Sequence, residues 1–454
     1  MTTLATFTKE LATPYVPSRR QTVVRISSNL LRHHGFTPGT RITKTANPDG
    51  PGFQIKPSDQ GEQMVYSRGY TKRDPEFREA VIEIADSTWT NRLLGADRAQ
   101  ILSRPGCLQI RPIPNHRFQI ISKAKATPGL PMFSVLSSGI CAHAFTQAGF
   151  QPQALCEWRP PEKRDIAAGR DLTETGVQTA LENIPFPVVF NQDIFTLSPQ
   201  LINEGLENRS ITLLAGSLQC DSFSNLKSAK LKTENRLTGE PGDAELFYPL
   251  LKTIEHTAPA IIFIENVPAF LNSEIGGAFK AILRRLGYYI SQETLNGADF
   301  ETHASRPRGF LVASAWPGFS FPKPTGRNTQ SLQAFLGRDI LQDCQDVTES
   351  NLVKRALAKK RLRTANLLQP TAPVFPKSQA RVDDRVLFQI DDRLFNPNLP
   401  SMRKIHGIPE EFKMGHLPQD IQCEQIGQGV DYELIAKIAK QIHAHVTSHI
   451  NSLF

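Results

Sequence analysis

From about residue 132 onward the chain alternates short apolar runs with helix-like stretches, and this rhythm limits its fold more than any other feature. Continuous apolar runs suit strands covered on both faces, and the intervening helices supply the crossovers that parallel strands require. Strand candidates are Met132 to Leu136, Gln153 to Glu157, 187 to 191, 211 to 215, 260 to 264 and 308 to 314, with a helix from Ile140 to Ala148 ended by Gly149. The expected class is α/β, a doubly wound Rossmann-like sheet that holds ligands at the carboxyl ends of its strands. Residues 323 to 399 break the rhythm with scattered prolines, a basic run and the short strand Arg385 to Ile390. They read as a smaller inserted domain, because 431 to 446 again forms an amphipathic helix through Leu434, Ile435, Ile438, Ala439, Ile442 and Val446. The expected divisions are 1 to 120, 128 to 322, 323 to 399 and 400 to 454.

Composition narrows the class of protein. No stretch of the 454 residues approaches the ~18 to 20 apolar residues of a membrane span, and MTTLATFTKE lacks the pattern of a signal peptide, so a cytoplasmic protein with no membrane partner is expected. The six cysteines stand far apart with no CxxC pair, which argues against a metal site or a disulfide framework. The 52 Lys+Arg against 44 Asp+Glu leave a net charge of +8, a weak invitation to polyanions. Residues 1 to 116 carry 16 Lys+Arg and 10 Asp+Glu, a surplus of +6. A second basic run, Lys354, Arg355, Lys359, Lys360, Arg361 and Arg363, punctuates a helix-like stretch; it reads equally as a solvated face and as a phosphate-binding one.

The first 115 residues look like a diverged tandem repeat. One unit opens on the alternating strand Val24-Arg-Ile-Ser and closes at Gly52-Phe-Gln-Ile-Lys-Pro57; the other opens on Val81-Ile-Glu-Ile and closes at Gly106-Cys-Leu-Gln-Ile-Arg-Pro112. Each unit is too small to bury its own apolar face, so the copies should pack on one another. The first unit resembles the swapped-hairpin barrels of bacterial transition-state regulators and antitoxins, which implies a DNA-binding module whose two halves come from one chain. A plain β-rich accessory domain is the other reading.

Polar or reactive residues punctuate the strand ends in the order Gly139, Glu157, Asp193, Cys220, Glu265-Asn266, and Arg306 with Arg308. Glu157 lies 18 residues after Gly139, near the ~20-residue spacing at which a strand-end acid reaches a ribose hydroxyl, so a nucleoside-type cofactor fits. Taken singly, Glu157 could be a surface acid, Asp193 a helix cap and Trp158 core packing.

Taken together, the blocks resemble those of the DNA (cytosine-5)-methyltransferases over about 320 residues, in that family's order. Leu136-Ser-Ser-Gly-Ile-Cys141 stands in the place of the cofactor loop, which implies S-adenosyl-L-methionine held by Ser138, Gly139 and Ile140. Cys156-Glu-Trp158 resembles the ribose-binding acid Glu157 with its adenine-contacting neighbour Trp158, and Asn191-Gln-Asp-Ile194 the adenine-bonding acid Asp193. Gly216 to Ser224 keeps the Cys-x-x-Phe-Ser core, implying Cys220 as nucleophile and Ser224 as a phosphate contact. Ile264-Glu-Asn-Val267 and Ala304-Ser-Arg-Pro-Arg308 imply Glu265, Arg306 and Arg308 as partners of the base. Met402 to Pro409 with Phe412, and Ile426-Gly-Gln-Gly-Val430, match the closing blocks, with Val430 at the cofactor; Lys359, Lys360 and Arg361 of the insert then face double-stranded DNA. Such enzymes occur in restriction-modification systems.

The chain departs from the family pattern at Val135, Ser137, Cys141, Gln219, Asp221, Ala304 and Gln428. A side chain at 141, where the family has glycine, crowds the cofactor loop. The resemblance thus leaves a second reading open, a catalytically silent methyltransferase fold retained as a DNA-binding regulator.

Overall fold

The computed structural model describes residues 6–13, 15–16, 21–71, 74–94, 96–113, 115–218, 244–359, 362–380 and 385–451. Cys220, Ser224, Lys360 and Arg361 lie outside the described residues. The chain divides into two compact units, Met1–Gln119 and Ile120–Phe454.

The first unit is built on antiparallel pairing. Its strands are β1 (Phe7–Ala12), β2 (Val24–Ser27), β3 (Arg41–Ala46), β4 (Phe53–Pro57), β5 (Gln63–Met64), β6 (Tyr66–Thr71), β7 (Asp74–Ile84), β8 (Arg98–Arg104) and β9 (Cys107–Ile113). One sheet has the order β1-β8-β9-β4-β3-β5 and a second β2-β7-β6, and the short segments Tyr15–Val16 and Gln21–Thr22 pair in a third. The alternation in these strands sends Ile42, Phe53, Ile55, Ile101, Leu108 and Ile110 inward to a core shared with Val24, Ile26, Ile82 and Ile84. The registers are palindromic. Val24 faces Ile84 and Ile26 faces Ile82, while Phe53 faces Ile110 and Ile55 faces Leu108. An internal two-fold therefore runs through the Arg25–Glu83 pair of one sheet and the Gln54–Gln109 pair of the other. It relates Val24 to Ile82 and Phe53 to Leu108.

The second unit centres on a seven-stranded sheet of β10 (Pro131–Val135), β11 (Gln151–Cys156), β12 (Val188–Phe190), β13 (Leu213–Ser217), β14 (Ile261–Asn266), β15 (Tyr289–Asn296) and β16 (Pro307–Ser314), in the order β12-β11-β10-β13-β14-β16-β15. The first five are parallel, and all residues of β10 and β14 are buried, as the apolar runs required. The far edge differs from the sequence expectation. β15 is an additional strand, and β16 is antiparallel to both β14 and β15. The reason is the connection: β14 reaches β15 through the crossover helix Glu274–Arg285, whereas only the single 3-10 turn Gly297–Asp299 and the two-residue strand Ala304–Ser305 lie between β15 and β16, so the chain reverses into the gap. The run YISQETLN carries no apolar signal of a strand, because at the sheet edge only Leu295 of β15 is buried.

Helices cover the sheet. The pair α1 (Ile140–Gln147) and α2 (Thr175–Asn183) meets at Gly139, whose φ of 99° begins α1; a Cβ there would lie 2.9 Å from Ala180 Cα. The apolar stripe of α4 (Tyr432–Asn451) packs on α1, where Tyr432 Oη lies 2.8 Å from His143 Nδ1. Between them in sequence comes α3 (Gln419–Gln428). The inserted segment forms a four-stranded sheet from Gln345–Asp346, Arg363–Asn366, Val386–Ile390 and Arg393–Asn396, with a small core of Val347, Val353, Leu387 and Leu394. The basic run is not one helix: Lys354 and Arg355 lie on the helix Asn351–Ala358, exposed Lys359 follows it, and Arg363 begins a strand. Among the described residues no helix is long and apolar enough to cross a membrane.

Gly52 tests the pairing of β4 with β9. Its φ is +102°, and a Cβ there would sit 2.1 Å from the carbonyl oxygen of Ile110. Gly52→Ala should cost about 2 to 4 kcal/mol from left-handed strain plus a backbone clash. Hydrogen exchange at the β4 and β9 amides would register it, and unchanged protection would refute the pairing.

Candidate active site

The sheet places its chemistry at the ends of β13, β14 and β16. Ser217 and Glu265 are register partners on the parallel strands β13 and β14. Glu265 is 6% exposed. Burial raises the pKa of its carboxyl, and the cations of Arg308 and Arg306 with a hydrogen bond to Ser217 only partly offset that shift. Arg308 Nε lies 3.0 Å from Glu265 Oε1. The adjacent Asn266 donates from Nδ2 to the carbonyl of Leu218 at 3.2 Å, while its Oδ1 accepts from the Val267 N–H at 2.7 Å. Asn266 thereby ties down the backbone two residues before Cys220.

The two arginines, alike in sequence, do different work. Arg306 is 2% exposed and donates to the carbonyls of Phe375 at 3.3 Å and Gly427 at 2.7 Å. It joins the loop after Ala372–Pro373 to α3. Arg308 faces the acid. His406 lies in the same field, and burial, with Arg306 and Arg308 nearby, pushes its pKa down to about 3, so it adds no positive charge. Cys141, buried in α1, has its thiol pKa raised by burial and by the charge of Glu265.

A second group of residues gathers at β11 and β12. Glu157 follows β11, and its side chain packs over Gly176 of α2. Its Oε2 is sealed from solvent with no hydrogen-bond partner among the described residues, and burial raises its pKa to about 7. Asp193 Oδ1 accepts from the Phe195 N–H at 3.0 Å, capping the turn Ile194–Thr196, so the cap reading holds for that oxygen. Trp158 and Ser138 are half-buried, and Ile140 and Val430 are buried. Ile140 Cδ1 would lie 3.3 Å from a Cβ on Gly429, which brings the first turn of α1 against the residue that follows α3.

Charged groups pin the segment after Trp158. Arg159 bonds Asp165 at 2.8 Å and Glu424 of α3 at 3.4 Å; Arg164 also bonds Glu424, and Arg170 bonds Asp165 and Asp420. On its other side, Gln425 bonds Thr179 of α2 at 3.1 Å. The sequence blocks contain Ser217, Asn266 and His406 without giving any of them a role, and nothing in the sequence signals Glu424.

The family described as C-5 cytosine-specific DNA methylase matches residues 137–374, more than half of the 454 residues. Type II methyltransferase M.MspI of a Moraxella species is 25% identical over 241 residues, covering 51% of this chain and 55% of the relative. M.AquIA of a Picosynechococcus strain is 28% identical over 166 residues, 33% of this chain and 64% of the relative. The matched stretches thus cover less than two thirds of these relatives. A solved Entamoeba histolytica methyltransferase has a TM-score of 0.55 at 16% identity, covering 72% of this chain and 100% of the other. The S. pombe Dnmt2 methyltransferase gives 0.52 at 15%, with 71% and 99% covered. These two likenesses are of fold.

Glu157 makes stability depend on pH. Its folded pKa of about 7 exceeds the ordinary 4.5, so the folded state holds the proton more tightly and stability falls as pH rises through that interval. Glu157→Gln should match wild type at pH 4 and exceed it at pH 8, by at most ~3 kcal/mol. Asp431, also raised to about 7, titrates in both proteins and cancels in the difference. Parallel pH profiles of the melting temperature would contradict this. Arg306→Ala strips two buried carbonyls of their donor and should cost about 2 to 4 kcal/mol in urea unfolding; an unchanged midpoint would remove Arg306 as a clamp.

Proposed function

The chain belongs to the C-5 cytosine-specific DNA methylase family, and from that premise we propose that it methylates carbon 5 of cytosine in double-stranded DNA with S-adenosyl-L-methionine. The observation that carries the reading is the buried Glu265, its pKa raised, bridged to Arg308 beside the tethered carbonyl of Leu218.

Carbon 5 of cytosine is a poor nucleophile until a thiolate adds to carbon 6 and makes the ring an enamine. Cys220 is the proposed attacker. At an ordinary pKa of ~8.5 only about 3% of a thiol is ionised at pH 7, so neighbouring positive charge matters. Protonated Glu265 donates to the ring nitrogen beside the exocyclic amine, and Arg308 holds the ring carbonyl oxygen. With Arg306 spent on backbone carbonyls, Arg308 is the arginine assigned to the base. After methyl transfer, loss of the carbon 5 proton restores the double bond and expels the Cys220 thiolate. The target must leave the helical stack, at a cost of a few kcal/mol. Ser224, Lys359, Lys360 and Arg361 are proposed phosphate contacts that help hold the opened duplex.

The residues at β11 and β12 fit the cofactor. The Glu157 Oε2, unpartnered among the described residues, suits a ribose hydroxyl, Asp193 and Trp158 suit the adenine, and Ser138, Gly139, Ile140 and Val430 are assigned to the rest of the cofactor. When bound, S-adenosyl-L-methionine supplies an electrophilic methyl group.

Glu157→Ala should weaken cofactor binding about ten- to hundredfold, the loss of a charged hydrogen bond worth ~1.5 to 3 kcal/mol. Cys220→Ala should abolish methyl transfer and leave that affinity nearly unchanged. Calorimetry with the cofactor and mass spectrometry of nucleosides from DNA incubated with each protein are the measurements. No 5-methylcytosine from folded, cofactor-binding wild type would sink the reading.

A further inference from the structure

The internal two-fold of the first unit has a chemical consequence. With Phe53, Ile55, Ile101, Leu108 and Ile110 turned to the core, the alternate positions of the six-stranded sheet form its other face. Exposed Arg41, Lys56, Arg98, Arg104 and Arg111 lie on that face. Among the alternate positions on its described strands, the one acid is Glu10, which pairs with Arg98. The registers make Lys56 the two-fold mate of Arg111 and Arg41 the mate of Arg98, about an axis through the Gln54–Gln109 pair.

We propose that this face is a docking surface for duplex DNA, additional to the site that takes the base. Lys56 and Arg111 are displaced from one another by four strand positions, and Arg41 and Arg98 by eight. At about 3.3 Å per residue and 4.8 Å per strand, the inner pair is separated by roughly 14 Å and the outer by roughly 30 Å. Those spans approach the ~12 Å width of the major groove and the ~34 Å of a helical turn. The backbone of a duplex carries a two-fold of its own, so each mate meets an equivalent phosphate. An anionic membrane surface would neutralise the same charges but offers nothing for the two-fold to match.

Anisotropy titrations of the full chain against a random DNA duplex of about 30 base pairs, over a series of salt concentrations, test the proposal; each phosphate contact contributes about −0.9 to the slope of log K against log salt. Lys56→Gln with Arg111→Gln should make the slope shallower by about 2, and adding Arg41→Gln and Arg104→Gln by nearly 4, with at least about tenfold weaker binding at ~0.15 M salt. The charge-preserving pair Lys56→Arg with Arg111→Lys should keep the slope. So should Arg68→Gln, an exposed position on β6 of the other sheet. Methyl transfer at saturating DNA should be unchanged in all of them, which separates this surface from the proposed catalysis. A slope unaffected by the fourfold variant would overturn the proposal. So would an equal loss with Arg68→Gln, or an effect confined to duplex RNA.

Discussion

Burying the Glu265 carboxyl removes it from water, and the Arg308 guanidinium 3.0 Å away is what makes that burial tolerable. Such a pair adds little net stability, because the desolvation of both ions offsets their attraction. Burial nonetheless holds the Glu265 carboxyl above its ordinary pKa beside a fixed cation, the setting that the proposed donation to a base would use. The sheet builds this poise by closing antiparallel at its far edge. β16 runs back alongside β14, so Arg308 near its start comes level with Glu265 near the end of β14. A parallel strand in that place would have carried Arg308 to the opposite end of the sheet.

The same helix, α3, is held at both sides of the site. Its end accepts the Arg306 hydrogen bond through Gly427, and Glu424 draws in the arginines that follow Glu157 and Trp158. Gln425 adds the bond to α2, the helix against which Glu157 packs. The buried members of this set are Glu424 and Asp165, and stripping either of its arginines leaves a buried carboxylate less compensated. The walls around Glu157 and around Arg308 thus share one support.

Elements whose character is local were legible in the sequence. The apolar runs of β10 and β14 announced buried strands, and the spacing from Gly139 to Glu157 placed an acid at the end of the second strand. The alternation around Val24 and Phe53 signalled half-buried strands, and the similar halves suggested a repeat. Each of these rests on the period of side-chain direction along a strand or helix, which neighbours in sequence determine.

What depends on partners remote in sequence was decided by tertiary structure alone. Arg306 and Arg308 are separated by a single proline, yet one clamps carbonyls from residues 375 and 427 and the other pairs with Glu265. The polar strand β15 exists because β16 needed a neighbour at the sheet edge. The unpartnered Glu157 Oε2 follows from how α2 packs across it. Similar halves in a sequence do not say how they pair; the registers of β2 with β7 and β4 with β9 do, and they set the basic side chains about one axis. Sequence periodicity determined which residues are inward and which are at strand ends, because a strand's pleat is local. Hydrogen-bond partners, burial and therefore protonation depend on which distant segments fill the same space, and only the folded chain brings those segments together.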